Sequence, residues 1–490
     1  MTISEMHKLL GAKLASRANA RSEISGISMH SREIRPGWVF IAVAGTHQNG
    51  VAFVEDAIRR GAVAVIAEEK VRVPAGVAML VVPDCRLAAA LLASTYYGEP
   101  SKKMRVVGIT GTNGKTTSAT LLKAVLLSHG EPTGLLGTIA YEIGDRSISA
   151  TRTTPDCVSL QHLLESMVKA GCKAAVLEVS SHALDQKRTA HVDFAAVGFT
   201  NLTQDHLDYH KTMDAYFAAK ALLFRDLPAG RVGVVNVDDP WGARLAQESL
   251  ACDILRTGLS PGADVVASVV DKTLAGSRFE ITSPWGRQEV VLQLPGVHNV
   301  RNALLCFTLA CSMGVPPATV ATGLGRVRQV RGRLQSIPVK APFAVFVDYA
   351  HTDDALRCVL QELRTYTKGR LRVVFGCGGG RDKEKRAMMG RAVYETSDVA
   401  YITSDNPRHE SPEDIIATVR EAFPPDAAVL TETDRRTAIR IALAEAEAGD
   451  TVCIAGKGHE SYQEVEGRML PFDDAEVAED ILRELGYDKA

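Results

Sequence analysis

A glycine-rich segment at residues 111–117, Gly-Thr-Asn-Gly-Lys-Thr-Thr, has the composition of a phosphate-binding loop. It follows a short apolar run at residues 104–110 and precedes a helical pattern at residues 119–127. Glycines let backbone N–H groups approach phosphate oxygens, and the N-terminus of the following helix favours an anion. Lys115 would then reach the β- and γ-phosphates of a nucleotide, and Thr116 would bind Mg²⁺.

The loop departs from the strict GxxxxGK[ST] pattern because Ile109 stands at the first glycine position. The alternative interpretation is a plain corner between a strand and a helix. A nucleotide-binding loop alone does not separate a ligase from a switch or a motor, because the function lies in the rest of the site.

Two carboxylates end apolar runs and could contact the nucleotide. Glu178 follows the run at residues 174–177, and a carboxylate at the carboxyl end of a strand can hold Mg²⁺ near the loop. Asp348 follows the run at residues 343–347 and could accept hydrogen bonds from ribose hydroxyls. The alternatives are a solvated strand-end glutamate and a turn aspartate.

The segment Asp405-Asn-Pro-Arg408 follows a strand-like run at residues 399–403. The planar fork of Arg408 fits a carboxylate, and Asp405 offers a partner for an ammonium group. Together they are suited to bind a zwitterion. The alternative is an Asx-Pro turn with a surface arginine.

Strand-like runs alternate with helical patterns along most of the 490 residues, which predicts an α/β fold with parallel sheets. The length suggests about three domains. Two stretches indicate the domain boundaries. One, at residues 97–103, is polar and contains Gly and Pro, and the other, at residues 326–333, is rich in arginine. We therefore predict domains at residues 1–102, 103–333 and 334–490.

The overall charge excludes some function classes. There are 56 Lys and Arg residues against 58 Asp and Glu residues, a net charge of −2. The sequence therefore lacks the overall basic excess that would indicate binding to nucleic acid or to an anionic membrane. The nine scattered cysteines form no CxxC pair, which argues against a zinc or redox site and suits a reducing compartment. With neither an apolar leader nor a run of about 18 apolar residues, we expect a cytoplasmic protein that is not inserted in a membrane.

Ten segments, taken together and in order, resemble the Mur ligase family. The resemblance is strongest to those members that add the third amino acid to the peptidoglycan precursor, and it covers nearly the whole chain. The segments are residues 31–37, 111–117, 153–155, 178–182, 199–210, 216–220, 348–351, 376–382, 405–408 and 456–460. The resemblance implies a central ATPase-like parallel sheet, flanked by an N-terminal UDP-binding α/β domain and a C-terminal Rossmann-like α/β domain that binds the amino acid.

The resemblance also implies the nucleotide and metal site. Catalytic roles fall on Lys115, Glu178, His206 and Lys220. The ATP contacts implied are Gly111, Thr112, Asn113, Gly114, Lys115, Thr116, Thr117, Asn299, Arg333, Asp348 and His351. The Mg²⁺ ligands implied are Thr116, Glu178, His206 and a carbamylated Lys220 (N6-carboxylysine), whose added carboxylate would suit the metal.

Substrate contacts are implied in all three domains. Ser31, His47 and Gln48 would bind the UDP end. The sugar-peptide part would contact Thr153, Thr154, Ser181, Gln186 and Arg188. The amino-acid pocket would contain Arg381, Asp405, Asn406, Arg408, Gly456 and Glu460. In the family, members with an Asp-Asn-Pro-Arg segment use meso-diaminopimelate as the amino-acid substrate. Lysine lacks the second carboxylate that Arg408 would bind.

The activity implied is ATP-dependent amide formation between meso-2,6-diaminopimelate and the D-glutamate γ-carboxylate of UDP-N-acetylmuramoyl-L-alanyl-D-glutamate, through an acyl phosphate, by a monomer. Alternatives are a lysine-adding, folylpolyglutamate-like or cyanophycin-like ligase, and a nucleotide-binding module without ligase activity. The chain departs from the usual family pattern at Gln204, Arg331, Gln335 and Asp353.

Overall fold

Three β-sheets, one in each third of the chain, organise the computed structural model, which describes residues 1–16, 21–45, 48–380 and 383–489. Two residues assigned above, His47 and Arg381, lie outside the described residues. In the part of the chain that is described, no helix combines the length and apolar character needed to cross a bilayer.

The N-terminal sheet has the order β1-β5-β4-β3-β2, in which β1 is antiparallel and the other strands are parallel. Two of its helices begin at polar caps: Thr2 and Glu5 form a capping box at the first helix, and Asp84 caps the third. The elements are α1 (Ile3–Leu10), β1 (Lys13–Ser16), β2 (Gly26–Ser28), β3 (Trp38–Ile41), α2 (Val54–Arg59), β4 (Ala64–Ala67), β5 (Ala78–Val81) and α3 (Cys85–Tyr96).

The central sheet has a parallel core with helices on both faces. The elements are β6 (Arg105–Thr110), α4 (Lys115–Ser128), β7 (Thr133–Leu136), β8 (Ala140–Ile143), β9 (Arg146–Ser149), α5 (Cys157–Lys169), β10 (Ala174–Glu178), α6 (Ser181–Asp185), β11 (Phe194–Phe199), α7 (Leu207–His210), α8 (Met213–Arg225), β12 (Val232–Asn236), α9 (Pro240–Leu245), β13 (Asp253–Gly258), β14 (Val265–Thr273), β15 (Gly276–Ser283), β16 (Gly286–Leu292), α10 (Val297–Ser312) and α11 (Pro317–Gly325). Strand β6 lies between β10 and β11, and Val106, Val107 and Ile109 are fully buried. Such continuous apolar strands are typical of a sheet covered on both faces.

The C-terminal sheet has the order β17-β18-β22-β19-β20-β21, with only β17 antiparallel. Because its other strands are parallel, their carboxyl ends lie along one edge, which faces the central domain. The elements are β17 (Gln335–Ser336), β18 (Ala344–Asp348), α12 (Asp353–Arg364), β19 (Leu371–Phe375), α13 (Glu384–Thr396), β20 (Val399–Thr403), α14 (Pro412–Arg420), β21 (Val429–Glu432), α15 (Arg435–Ala444), β22 (Thr451–Ala455), the ribbon β23 (Tyr462–Val465) and β24 (Arg468–Pro471), and α16 (Asp474–Glu484).

The predicted α/β class is confirmed, with two differences in detail. The strand predicted at residues 399–403 has those bounds, but α4 begins at Lys115 rather than at residue 119. The central sheet is also not wholly parallel, because antiparallel strands extend it at both edges. The domain boundaries near 102 and 334 stay predictions.

Candidate active site

The glycine-rich loop joins β6 to α4, and two of its glycines are required by the backbone. Gly111 has φ 147° and Gly114 has φ 85°. A Cβ atom at Gly111 would lie 1.8 Å from Thr200 Oγ1, and one at Gly114 would lie 2.4 Å from Asn302 Oδ1. Thr200 Oγ1 also donates to the Asn113 carbonyl oxygen at 2.6 Å. The end of β11 therefore fixes the loop, which sequence reasoning could not show.

Two lysine ammonium groups converge on one carbonyl of this loop. Lys115 Nζ donates to the Gly111 oxygen at 2.9 Å and to the Thr112 oxygen at 2.8 Å. Lys220 Nζ, from α8, donates to the same Gly111 oxygen at 2.7 Å and is almost fully buried. Burial, and then the charge of Lys115, lowers the pKa of Lys220 well below its ordinary value. Burial likewise lowers the pKa of Lys115.

Glu178 is a buried carboxylate held by hydroxyl and amide donors. It accepts hydrogen bonds from Thr116 Oγ1 at 2.9 Å, from the Thr138 N–H at 2.9 Å and from Thr138 Oγ1 at 3.0 Å. Its exposed fraction is 1%, and among the described residues no ion pair within 4.0 Å is found for it, although the Lys115 charge interacts with it from farther away. A buried carboxylate without a paired cation suits a metal ion, because an uncompensated buried charge is costly.

His206 lies at the start of α7 with φ 54°, a left-handed conformation that is uncommon for histidine. Burial lowers the pKa of His206, which favours the neutral imidazole that ligates metals. Its ring packs against the His182 ring with a centroid distance of 4.8 Å. The described residues contain no group of three or more His, Cys, Asp or Glu side chains placed for a metal. Mg²⁺ usually takes one or two protein carboxylates together with water and phosphate oxygens, so a nucleotide-bound Mg²⁺ does not require such a group.

A cavity of about 360 Å³ opens between the central and C-terminal domains beside the loop. Seven of the predicted ATP contacts line it: Asn113, Gly114, Thr117, Asn299, Arg333, Asp348 and His351. The remaining loop residues, Gly111, Thr112, Lys115 and Thr116, do not line this cavity. The size and polar lining suit a nucleotide.

Asp348 projects from the end of β18 into this cavity. Its two carboxylate oxygens accept hydrogen bonds from the Leu334 N–H at 2.6 Å and the Ala350 N–H at 2.8 Å. Burial raises the pKa of Asp348 above its ordinary value. Arg333 lies over the Tyr349 ring, 4.6 Å from its centroid, and donates to Thr116 Oγ1 at 3.3 Å. These contacts bring both domains to the end of the cavity that lies beside the glycine-rich loop.

Two further polar residues, Asp354 and His298, line the nucleotide cavity. Asp354, at the start of α12, accepts a hydrogen bond from Asn113 Nδ2 at 3.2 Å and so joins the loop to the C-terminal domain. His298 Nδ1 is buried and has no hydrogen-bond partner among the described residues. An unpartnered buried ring nitrogen can serve a ligand.

A second cavity, of about 240 Å³, shares Tyr349 and His351 with the first. It brings together the predicted metal-side residue His206 and five of the predicted amino-acid contacts: Asp405, Asn406, Arg408, Gly456 and Glu460. It also contains Asp205 and Lys385, whose charged atoms lie 2.6 Å apart across the two domains. Sequence patterns do not predict this pair, because its members are 180 residues apart.

Strand ends β20 and β22 position the polar groups of the second cavity. A Cβ atom at position 456 would lie 2.8 Å from Asp405 Oδ2, so glycine keeps this carboxylate open. Arg408 has φ 58° and donates to the Gly379 oxygen at 2.6 Å and to Glu464 Oε2 at 3.1 Å. Its fork is thereby aimed by the protein before any substrate binds.

The Asn406 and Glu460 side chains lie together in the same cavity. Asn406 Nδ2 donates to Glu460 Oε2 at 2.8 Å, and Lys457 Nζ lies 3.1 Å from both Asn406 Oδ1 and Glu460 Oε2. Lys457 is fully buried, which sequence reasoning did not anticipate.

The predicted sugar-peptide contacts gather at the carboxyl end of β10. Thr154 Oγ1 donates to the Glu178 carbonyl oxygen at 2.8 Å, and Arg188 Nη1 donates to the Thr154 carbonyl oxygen at 2.9 Å. Arg188 Nη2 also donates to Gln186 Oε1 at 2.7 Å. Two more hydroxyls lie nearby: Thr153 Oγ1 is 3.1 Å from Thr138 Oγ1, and Ser181 Oγ is 2.9 Å from His210 Nε2.

Two of the predicted UDP contacts, Ser31 and Gln48, line neither of these two cavities. Ser31 lies in the 3₁₀ turn Ser31–Glu33. The hydrogen bond between the Ser31 and Asp56 side chains lowers the pKa of Asp56 below its ordinary value, and the Arg60 guanidinium lowers it further. Gln48 is exposed. The role of Ser31, His47 and Gln48 in binding the UDP end stays a prediction.

Three domain models of one protein family match successive parts of the chain. "Mur ligase family, catalytic domain" matches residues 23–97, "Mur ligase middle domain" matches residues 109–310, and "Mur ligase, glutamate ligase domain" matches residues 332–458. A UDP-N-acetylmuramoyl-L-alanyl-D-glutamate–2,6-diaminopimelate ligase of Gloeobacter violaceus is 43% identical over 487 residues, which is 98% of this chain and 99% of the relative. The chain belongs to the Mur ligase family.

Other relatives of this Mur ligase agree with that assignment. An enzyme of the same name from Caldanaerobacter subterraneus subsp. tengcongensis is 40% identical over 477 residues, covering 97% of this chain and 98% of the relative. A solved structure of that name has a TM-score of 0.70 with 33% identity over 99% of both chains. A folylpolyglutamate synthase of Mycobacterium tuberculosis, with ADP and AMPPCP, has a TM-score of 0.64, 20% identity and coverage of 82% and 96%, which shows a shared fold alone.

Proposed function

We propose that this Mur ligase joins meso-2,6-diaminopimelate to the D-glutamate γ-carboxylate of UDP-N-acetylmuramoyl-L-alanyl-D-glutamate at the expense of ATP, in peptidoglycan precursor synthesis. The observation that carries the proposal is the shared wall of the two cavities. Tyr349 and His351 line both the nucleotide cavity and the cavity that contains Asp405 and Arg408. A phosphorylated carboxylate at this wall would lie next to the amine that attacks it.

The chemistry explains why both cavities are needed. A carboxylate is a poor electrophile because oxide is a poor leaving group. The γ-carboxylate oxygen attacks the γ-phosphorus of ATP, and the bond between that phosphorus and the β,γ-bridging oxygen breaks. ADP leaves, and the substrate carboxylate has become an acyl phosphate. The amine then adds to the acyl carbon, and phosphate departs from the tetrahedral intermediate as the amine loses its proton.

Lys115 serves the first step by its position at the start of α4. Two anions must meet in that step, so a fixed cation and the N-terminus of a helix lower the barrier. We propose that Thr116, Glu178, His206 and a carbamylated Lys220 hold Mg²⁺. When bound, this ion neutralises charge on the phosphate oxygens.

The environment of Lys220 suits carbamylation. Its amine nitrogen attacks carbon dioxide, a C–N bond forms and a proton is released, which requires the neutral amine. Burial, and then the charge of Lys115, lowers the pKa of Lys220 well below its ordinary value, which increases the share of the neutral amine at a given pH. The product is an anion beside Lys115, so the two charges compensate each other.

Arg408 and Asp405 support diaminopimelate rather than lysine as the amino acid. Arg408 keeps part of its fork engaged by Glu464 and Gly379, and its remaining donors fit a substrate carboxylate. Asp405, which the glycine at 456 leaves uncovered, fits the ammonium group beside that carboxylate. Lysine offers only the ammonium group.

The remaining substrate assignments follow the same logic. We propose that Thr153, Thr154, Ser181, Gln186 and Arg188 bind the sugar-peptide, since they gather beside Glu178. Ser31, His47 and Gln48 are proposed for the UDP end, and Arg381 for the amino-acid pocket. We also propose that the enzyme acts as a monomer, because both cavities are built from one chain.

Phosphate release by the purified protein tests the proposal. The assay contains UDP-N-acetylmuramoyl-L-alanyl-D-glutamate, ATP and Mg²⁺, with either meso-diaminopimelate or L-lysine. We expect turnover with diaminopimelate alone. Turnover with lysine alone would refute the role of Arg408 but keep the ligase. ATP binding without turnover in the presence of either amino acid would favour a different ligase or a binding module.

A further inference from the structure

An arginine and an aspartate are completely buried behind the second cavity, although neither lines it. Arg435 Nε and Nη2 donate to Asp474 Oδ1 and Oδ2 at 2.7 and 2.8 Å, and both side chains have 0% exposure. Desolvating two charges is costly, and the pairing energy often only offsets that cost. Stability alone therefore explains such a pair poorly.

The position of Arg435 in its helix is also unfavourable. It is the first residue of α15, where the helix dipole disfavours a cation. Asp474 is the first residue of α16, where the dipole favours its carboxylate. The fold thus brings two helix N-termini together and places the arginine between them.

The remaining donors of Arg435 reach the two strand ends that form the amino-acid pocket. Nη2 donates to the Ala455 carbonyl oxygen at 3.0 Å, and Nη1 donates to the Ser404 carbonyl oxygen at 3.4 Å. The residues that follow these carbonyls are Gly456 and Asp405. Strands β20 and β22 do not pair with each other, because β19 lies between them. Arg435 therefore joins two strand ends that the sheet leaves unjoined.

We propose that the Arg435–Asp474 pair is a positioning device that sets the separation between Asp405 and Gly456, and hence the fit of the amino-acid substrate. This inference rests on the proposed function for the identity of that substrate. Neither residue touches substrate, so their effect passes through the backbone. Burial acts to lower the pKa of Arg435, but the Asp474 carboxylate, and after it the Asp405 and Glu460 carboxylates of the pocket, outweigh burial and raise this pKa.

The chain offers a matched control at the opposite edge of the same sheet. Arg372 Nε donates to Asp450 Oδ2 at 2.7 Å, and these side chains have exposures of 5% and 3%. They lie near the amino ends of β19 and β22, away from both cavities. A purely structural role would make the two pairs equivalent.

The experiment compares Arg435→Lys with Arg372→Lys in the full chain. Lysine cannot bind a carboxylate through two donors and reach two carbonyls as well. We expect Arg435→Lys to raise the KM for diaminopimelate about tenfold, with the KM for ATP changed less than about twofold. Arg372→Lys is expected to leave the diaminopimelate KM unchanged. Equal changes in all KM values, or an equal effect of Arg372→Lys, would overturn the inference.

Amide hydrogen exchange separates this inference from the proposed function. We expect Arg435→Lys to lose protection at residues 404–406 and 455–457, and Arg372→Lys to retain it there. Unchanged protection in Arg435→Lys overturns the inference whatever the activity. Loss of protection in Arg435→Lys, with wild-type protein inactive on both amino acids, supports the positioning role and refutes the proposed function.

A second variant covers the case in which Arg435→Lys does not fold. Arg435→Met combined with Asp474→Leu removes both charges, and apolar replacements of buried pairs are often tolerated. The same local loss of protection and the same selective rise in KM are expected. A folded double variant with wild-type exchange at residues 404–406 and 455–457 would overturn the inference.

Discussion

Arg408 is the single residue on which the proposed choice of amino acid depends. Its left-handed backbone, its bond to Glu464 and its bond to the Gly379 oxygen hold the guanidinium at the wall of the second cavity. Strained backbone at a non-glycine residue persists where surrounding contacts fix it, and such positions cluster at binding sites.

Replacing Arg408 with Gln should raise the KM for diaminopimelate by about 10- to 100-fold, since a charge-assisted hydrogen bond contributes about 1.5–3 kcal/mol. Steady-state kinetics with varied diaminopimelate measure this effect. Arg440→Gln, which changes an exposed arginine paired with Glu484, is the control and should leave the KM unchanged. An Arg408→Gln enzyme with wild-type KM would show that the second carboxylate binds elsewhere.

The state of Lys220 is a second prediction about one side chain. After incubation with ¹³C-bicarbonate at pH 8, we expect a carbamate carbon signal in the NMR spectrum of the wild-type protein. Lys220→Met should lack that signal. Lys123→Met, which changes a lysine on α4 paired with Glu142, should keep it. A wild-type spectrum without the signal would rule out the modification under these conditions.

The elements explain what the sequence could and could not predict. The glycine loop, Glu178, Asp348 and Asp405 were found because each follows a strand, and chain-local patterns show where strands end. The Asp205–Lys385 contact was not predictable from such patterns, because it depends on how two domains dock. The buried Arg435 was missed for the same reason, since nothing in its neighbourhood in sequence distinguishes it from a surface arginine.

Helix α3 provides a prediction at the level of elements. Asp84 accepts hydrogen bonds from the Arg86 and Leu87 N–H groups at 2.9 and 3.0 Å, and it lies 2.5 Å from Lys187 Nζ in the central domain. Asp84→Ala removes both the helix cap and the ion pair, whereas Asp84→Asn keeps the cap. We expect Asp84→Ala to lower the melting temperature more, because a cap contributes about 1 kcal/mol.

The pH dependence of that difference follows from the charge. Burial acts to raise the pKa of Asp84, but the Lys187 ammonium and the backbone N–H groups outweigh burial and lower it below its ordinary value. The stabilisation is therefore present above about pH 4 and is lost as the pH falls through the folded-state value. Melting curves of wild type and Asp84→Asn should converge on acidification, and curves that stay parallel would contradict the ion pair.

At the scale of the whole molecule, the central and C-terminal domains are joined by polar contacts at the cavities. The Asp205–Lys385 ion pair and the Asn113–Asp354 hydrogen bond both span the domains beside the ligand sites. Interfaces of this kind allow relative domain motion, and closure around substrates can complete a catalytic site.

We expect Lys385→Met to increase the radius of gyration of the ligand-free enzyme in small-angle X-ray scattering, with ATP and both substrates restoring the wild-type value. The exposed Lys368 provides the control substitution, Lys368→Met, which should scatter as wild type. Identical scattering of Lys385→Met and wild type in every state would show that this ion pair does not govern the domain arrangement.

The wall formed by Tyr349 and His351 has a consequence for inhibitor design. A bisubstrate compound, with a nucleotide-like half linked to a zwitterionic amino-acid half, would cross that wall and occupy about 360 and 240 Å³ of adjoining space. Its second half would bind at the high effective concentration set by a short linker. A single substitution that weakens binding of either half of the compound would also weaken binding of ATP or of the amino-acid substrate. Few substitutions could therefore give resistance and still leave the enzyme active.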